Sequence, residues 1–337
     1  MTRRTLLASA SLAVLAAAGL RAEESFLVFA GGNGPGKGKH VVLLSGDEEY
    51  RSEESMPMLG RLLAERHGFK TTVCFSIGAD GSIDPNNGAS LSGSEALESA
   101  DAIVMALRFR HWDDQAMERF EKAFLAGKPI IALRTSTHAF NFGKDSKWHR
   151  YTWNNSEGGF GRRVLGETWV SHWGNHKNEA TKGIIEIGSK ASPLLRGVDA
   201  IFGDTDVYEA APPADATILV RGQVLKGMKP DDPPAEPREK KTAKGQKTGI
   251  NDPMMPVAWT REYKNEAGTT NKILCTTMGS ATDLANEGLR RLVVNGVFWG
   301  LNLEVPAKAN ATPCGDYSPT MYGFGGFKKG VKPASLK

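Results

Sequence analysis

Short apolar runs alternate with amphipathic stretches along the first half of the chain. "HVVLLSG" (40–46), "KTTVCFS" (70–76), "AIVMALRF" (102–109) and "PIIALR" (129–134) read as four buried strands. Between them, 55–68 reads as a helix with Met58, Leu59, Leu62 and Leu63 on its apolar face and Gly68 as its stop. A short helix is expected at "SGSEALESAD" (92–101), and a longer one over 113–128 that opens on acids and stops at Gly127. Strands return at 183–188, 217–222 and 271–279, and a last helix covers about 283–301. Strand–helix alternation of this kind predicts an α/β domain, a doubly wound and mostly parallel sheet with helices on both faces.

Such sheets bind ligands at the carboxyl ends of their strands. Three of those ends are polar here. "GDEEYRSEES" follows the first strand, "RFRHWDD" closes the third, and the fourth breaks into Arg134, Thr135, Ser136, Thr137 and His138. They should meet along one rim.

The middle of the chain is less regular. Residues 147–179 hold Trp148, Trp153, Trp169 and Trp173, four of the seven tryptophans. Residues 226–253 are Pro-rich, charged and nearly without apolar side chains, which predicts a solvated loop insertion and not a domain boundary. The expected organisation is a leader (1–22), a Gly-rich linker (23–38), a single α/β domain (39–305) and an aromatic-containing tail (306–337) packed on the body.

The leader changes the charge balance. Arg3 and Arg4 precede an apolar run from Leu6 to Leu20 with no acid, the pattern of a cleaved secretory signal, and the paired arginines suit the twin-arginine route. The run is shorter than a membrane span needs, so a periplasmic or extracellular protein without a membrane span is expected. Removing Arg3, Arg4 and Arg21 from the 42 basic residues leaves 39 against 38 acidic, a formal net charge of +1. That excludes an electrostatic case for nucleic acid. The remaining partners are a small ligand and further copies of the chain in a homo-oligomer. Cys74, Cys275 and Cys314 show no metal spacing, and the first two sit in strand-like runs as inert core thiols.

The rim supplies the candidate chemistry. Arg51, Arg108, Arg110 and Arg134 offer donor forks for carboxylates or vicinal hydroxyls, or else pair with neighbouring acids. Glu48 and Glu49 stand where a general acid or base would. His111, Thr135, Ser136 and His138 could bind substrate oxygens. In "SHWGNH", His172 and His176 are four apart, a spacing that on a helix serves a divalent metal such as zinc. Gly174 and Asn175 argue against a regular helix there, and a polar pocket wall is the other reading. Trp112, Trp169 and Trp173 could stack on a sugar ring or fill the core. A G-x-S-x-G elbow, a Walker loop and a dinucleotide-binding glycine pattern are all missing from the sequence.

"HVVLLSGDEEYR", "RFRHWDDQAMERF", "GKPIIALRTSTHAF", "GGFGRRVLGETWVSHWGNH", "GDTDVYEA", "PVAWTREY" and "MGSATDLANEGLRRLVVNGVFWGL" together resemble the successive blocks of the ThuA-like (trehalose-utilisation) family, over about 40–304. The resemblance implies a class I glutamine amidotransferase-like, flavodoxin-type fold, without the amidotransferase cysteine. It implies sugar catabolism, with hydrolysis or lysis of keto-glycosides as the expected reaction. His172, Asp204 and Tyr208 match family positions. Three family histidines are replaced, by Ser52, Arg134 and Ser280. In the enzyme reading, Glu48 or Glu49 trades protons with His172 while the arginines hold oxygens. The alternatives are a non-catalytic sugar-binding protein on the same fold and, less directly supported, a redox flavoprotein.

Overall fold

The computed structural model describes residues 25–337. The expected leader, 1–22, lies outside the described residues. One ten-stranded sheet runs through the molecule in the order β1-β3-β2-β4-β5-β12-β11-β8-β6-β7. Its strands are β1 (Leu27–Phe29), β2 (His40–Gly46), β3 (Lys70–Cys74), β4 (Ala102–Leu107), β5 (Ile130–Leu133), β6 (Thr181–Ile185), β7 (Ile201–Gly203), β8 (Thr217–Val224), β11 (Met255–Lys264) and β12 (Thr270–Thr276). Strands β9 (Glu239–Lys241) and β10 (Lys247–Gly249) form a separate hairpin. The α-helices are α1 (Ser52–His67), α2 (Asp114–Leu125) and α3 (Glu287–Gly300).

Five neighbouring strands, β3, β2, β4, β5 and β12, are parallel. All the other pairings in the sheet are antiparallel. The sheet is therefore mixed, which corrects the expectation of a mostly parallel one. The reason lies in the second half, where β11 and β12 form a hairpin and β8, β6 and β7 extend it without crossover helices.

The parallel strands have two buried faces and read as unbroken apolar runs. Along β2, Val41 and Leu43 pack with α1 and α3, through Met56, Leu59, Val293 and Phe298. Val42 and Leu44 point the other way and pack with α2, through Met117, Phe120 and Phe124. Helix α1 starts three residues earlier than expected, at Ser52, and turns Met56 inward while Met58 is only half-buried.

The expected linker and the expected loop insertion both carry short strands. In the linker, β1 pairs with β3, and the backbone of Gly31 and Gly34 lies so close to Phe69 and His67 that a Cβ there would sit 2.4–2.5 Å from their carbonyl oxygens. The insertion 226–253 carries the β9–β10 hairpin and the buried Ile250. Among the described residues, no helix is long and apolar enough to cross a membrane.

Helix α1 also buries Glu53 with neither oxygen hydrogen-bonded, 3.5 Å from Nη1 of Arg51. Burial pushes its pKa up to about 7. A carboxyl raised in this way keeps its proton in the folded chain after the unfolded chain has released it. Stability should therefore fall as pH rises from the ordinary 4.5 towards 7. Glu53→Gln should remove this slope and add up to about 3 kcal/mol at pH 8. Urea unfolding at pH 5 and pH 8 checks it; identical slopes in variant and parent contradict it.

Candidate functional site

The carboxyl ends of β2, β4 and β5 do meet. The residues that follow them turn sharply: Arg51, Phe109 and Arg134 all hold positive φ, at 57°, 52° and 45°. Lys177, beside His176, is a fourth at 62°. Each such conformation costs a side-chain-bearing residue about 1–3 kcal/mol, and such strain gathers at functional sites.

Three of the four rim arginines are used inside the protein. Arg134 is buried, although it ends a strand in a guanidinium. Its Nη1 donates to the carbonyls of Asp206 (2.8 Å) and Thr277 (2.7 Å), and its Nη2 to Asp206 Oδ1 (3.0 Å) and Tyr50 (3.2 Å). Its cation lies 3.7 Å from the ring centre of Tyr208 and 4.7 Å from that of Tyr50. Arg110 bonds the carbonyls of Arg108 and Pro85 and one oxygen of Glu48. Arg51 holds the carbonyls of Glu48, Glu49 and Gly323. Only Arg108 reaches the surface of the rim, where it pairs with the other oxygen of Glu48. Burial raises the pKa of Glu48 and the two arginines oppose that rise, so Glu48 is a clamp and not a free base.

Other expected binding residues are structural too. Thr135 donates to Asp47 and Ser136 to the Met105 carbonyl, both fully buried. Trp112 is in the core with Phe120 and Phe140. Trp173 is buried, with its Nε1 on the Ile250 carbonyl. His111 is exposed and packs over Gly88 and not against the imidazole pair. These positions were chosen for residue type at a strand end, and residue type does not reveal which side chains turn inward.

His172 and His176 are brought together, but not by a helix. His172 bridges Tyr208, Trp173 N donates to the Val207 carbonyl (2.7 Å), and the chain then bends into a turn at 175–178 that carries His176. From the hairpin, Lys240 Nζ holds the carbonyls of His172 (2.6 Å) and Trp173 (2.8 Å). Asp206, fully buried, takes one oxygen to each imidazole: Oδ2 to His172 Nδ1 (2.7 Å) and Oδ1 to His176 Nδ1 (2.9 Å). Burial pushes the Asp206 carboxyl up, but Arg134 and the two imidazoles outweigh it and hold it well below the usual range. An ionised carboxylate only accepts, so both Nδ1 atoms carry the proton and both Nε2 atoms are the remaining ring nitrogens. The Asp206 bond, then that to Glu49, raises the His176 pKa to about 9.

Glu49 completes the cluster. Its Oε1 lies 3.4 Å from His176 Nε2 and its Oε2 3.8 Å from Arg108 Nε. Around this floor the side chains form a ring. Phe324 meets Arg108 (5.0 Å), Arg108 meets Phe109 (4.5 Å), and Phe109 meets Trp153 (5.6 Å). Trp153 meets Trp169 (6.2 Å), Trp169 meets His172 (5.8 Å), His172 meets His176 (4.6 Å), and His176 meets Tyr322 (5.6 Å). His138 lies buried beneath, between Phe109, Trp169 and Tyr208; burial, then Arg108, keeps it neutral by lowering its pKa far below the ordinary value. The result is an aromatic rim beside a cluster of imidazole and carboxylate.

Sequence reasoning missed Asp206, Phe109, Tyr322 and Phe324. Asp206 lies between Asp204 and Tyr208, the two positions noted in "DTDVYEA". Tyr322 and Phe324 come from the tail, where Tyr322 donates to the Asp204 carbonyl and Gly323 N to the Glu49 carbonyl. Aromatic residues in an aperiodic tail were the available signal.

No protein-family profile and no curated protein matches the chain. Among solved structures, it is similar to a protein described as ThuA-like from Parabacteroides merdae ATCC 43184, at 14% identity and a TM-score of 0.43 over 86% of this chain and 98% of that one. A second, described as ThuA-like from Bacteroides uniformis ATCC 8492, shows 13% identity and a TM-score of 0.47 over 79% and 92%. The N-terminal domain of mmIFT52 is similar at 12% identity and 0.39, over 78% and 97%. Likenesses this distant assign no function.

Proposed function

We propose that this chain is an exported, divergent member of the ThuA-like family, and that its imidazole–carboxylate cluster acts by acid/base chemistry on a small sugar derivative carrying a carbonyl. The sequence blocks that resemble the family support the assignment. So does the spatial order of the five parallel strands, which in chain order runs 2-1-3-4-5, the order of flavodoxin-like sheets. The leader supports export to the periplasm or beyond.

One observation carries the chemistry: two imidazoles oriented by a shared buried carboxylate stand beside Glu49 inside an aromatic rim. A base oriented by a third group is the recurrent arrangement for proton transfer. Glu49, paired with His176 Nε2, is assigned the removal of the proton from carbon next to the carbonyl. His172 and Arg108 face the oxygen on which charge then develops. Trp169 and Phe109 offer apolar faces to the ring of the sugar. Glutamine amidotransfer is not proposed. Cys74 and Cys275 are buried in strands with their thiol pKa pushed up by burial, and Cys314 lies apart, near Arg61 and Glu65.

The purified protein should convert one or more of a panel of 3-keto-glycosides, and not their parent disaccharides, with products read by mass spectrometry. A second reading, a sugar-binding protein without turnover, is favoured by Arg134 standing in place of a family histidine and being locked to Asp206. Under it, a sugar would raise the melting temperature with no product, and Glu49→Gln would leave affinity unchanged.

A further inference from the structure

We infer that this cluster binds one divalent first-row metal ion, ligated by Nε2 of His172, Nε2 of His176 and a carboxylate oxygen of Glu49, with Asp206 behind the ligands and not among them. Donor atoms of His172, His176 and Asp206 lie within 4.8 Å of one another, so those three are the obvious ligand set. The hydrogen bonds argue for a different one. Asp206 already accepts both Nδ1–H groups and Nη2 of Arg134, while Nη1 of Arg134 covers its backbone carbonyl. A dication in contact with Asp206 would face a buried guanidinium and would have to displace two short hydrogen bonds.

On the Nε2 side no guanidinium is locked to the donors by short hydrogen bonds: His176 Nε2 faces Glu49 Oε1, and Arg108 lies 3.8 Å from the other Glu49 oxygen. Fixing a histidine tautomer through Nδ1–H to a carboxylate is how metal-binding imidazoles are oriented, and it raises their basicity as ligands. Here a single carboxylate does this for two rings whose centres are 4.6 Å apart. The third ligand is in reach. Glu49 Oε1 lies 3.4 Å from His176 Nε2, so an ion bound there would take the place of the proton that the two share. Two ligand atoms each about 2.1 Å from a tetrahedral zinc ion are separated by about 3.4 Å. The pair is thus spaced for an ion between them.

Three protein ligands leave positions open, the pattern of a catalytic and not a structural site. The open side faces the rim, where His172 and His176 are 39% and 25% exposed at the side chain. Two histidines and one carboxylate suit zinc, and equally manganese or ferrous iron. The inference deepens the proposed function, because such an ion would stabilise the same developing oxyanion, but its test needs no sugar.

The full chain, stripped with chelator and dialysed, is titrated calorimetrically with zinc chloride and, separately, manganese chloride. One site per chain is expected. Affinity should fall at least tenfold in Glu49→Gln and in His176→Ala, and be unmeasurable in His172→Ala. Asp206→Asn should weaken it by about 10–100-fold, as loss of an orienting partner does. His111→Ala should bind as the parent does. The visible spectrum of the cobalt-loaded parent should show a low-coordinate nitrogen/oxygen site. Absence of any site in a folded parent, or undiminished binding in His172→Ala and His176→Ala, overturns the inference. Parent-like affinity in Glu49→Gln overturns the ligand set. Metal binding without turnover of any sugar would leave the inference standing and defeat the proposed function.

Discussion

Replacing Arg134 with Met should destabilise the protein by about 3–5 kcal/mol, the usual cost of removing one partner from a buried ion pair. The side chain is fully buried and satisfies two main-chain carbonyls, the Tyr50 hydroxyl and the Asp206 carboxylate. Methionine fills the volume between Tyr50 and Tyr208 but leaves those acceptors unpaired and Asp206 charged without its guanidinium. The double variant Arg134→Met, Asp206→Asn should recover part of the loss, because neither charge is then left alone. Chemical denaturation of the two single variants and the double closes the cycle. A loss below about 1 kcal/mol for Arg134→Met, or no recovery in the double, would contradict the pairing.

His172→Ala should act in the opposite way, on activity and not on folding. The ring is partly exposed and, among the described residues, its hydrogen bond is to Asp206. Its removal should lower turnover by about 10²–10⁴-fold, the range for a positioned proton-transfer group. The melting transition should hardly move, since Asp206 keeps Arg134 and His176. Turnover at the level of the parent would remove His172 from the chemistry. A large drop in stability would make it a structural residue.

The elements that could be read from sequence were those whose signal is local. Strands β2, β4 and β5 are short apolar runs because both of their faces are covered, and α2 carries its own cap, with Asp113 accepting from Ala116 N. β11 was not identified as a strand, because "MPVAWTREYK" is antiparallel and half-exposed and mixes apolar with charged positions. The hairpin β9–β10 was hidden for a related reason. It forms no core of its own and gains its order from Lys240, which donates to the carbonyls of His172 and Trp173, and from the Ile250 carbonyl, which accepts from Trp173 Nε1.

The candidate site divides along the same line. That ligands would meet polar strand ends was visible in 46–55, 108–114 and 134–138. Which side chains face the ligand was not. Backbone carbonyls of the loops and tail that close over the strand ends need donors, and Arg51, Arg110 and Arg134 are turned inward to supply them. Spacing made His172 and His176 a pair for the wrong reason: a helix would have set them on one face, whereas here a bend and a turn at 175–178 bring the rings together and Asp206 binds both. No local pattern links residue 206 to 172, since their pairing is created by the sheet-side contact of Trp173 with Val207.

The most direct test of the central claim follows one proton. A 3-keto-glycoside that the protein binds is incubated with it in D2O, and deuterium at the carbon next to the carbonyl is read by mass spectrometry against enzyme-free buffer. The account predicts incorporation by the parent above the buffer rate, in recovered substrate or in product, and its loss in Glu49→Gln with sugar binding retained. Turnover by the parent without incorporation, or incorporation unchanged in Glu49→Gln, would contradict it.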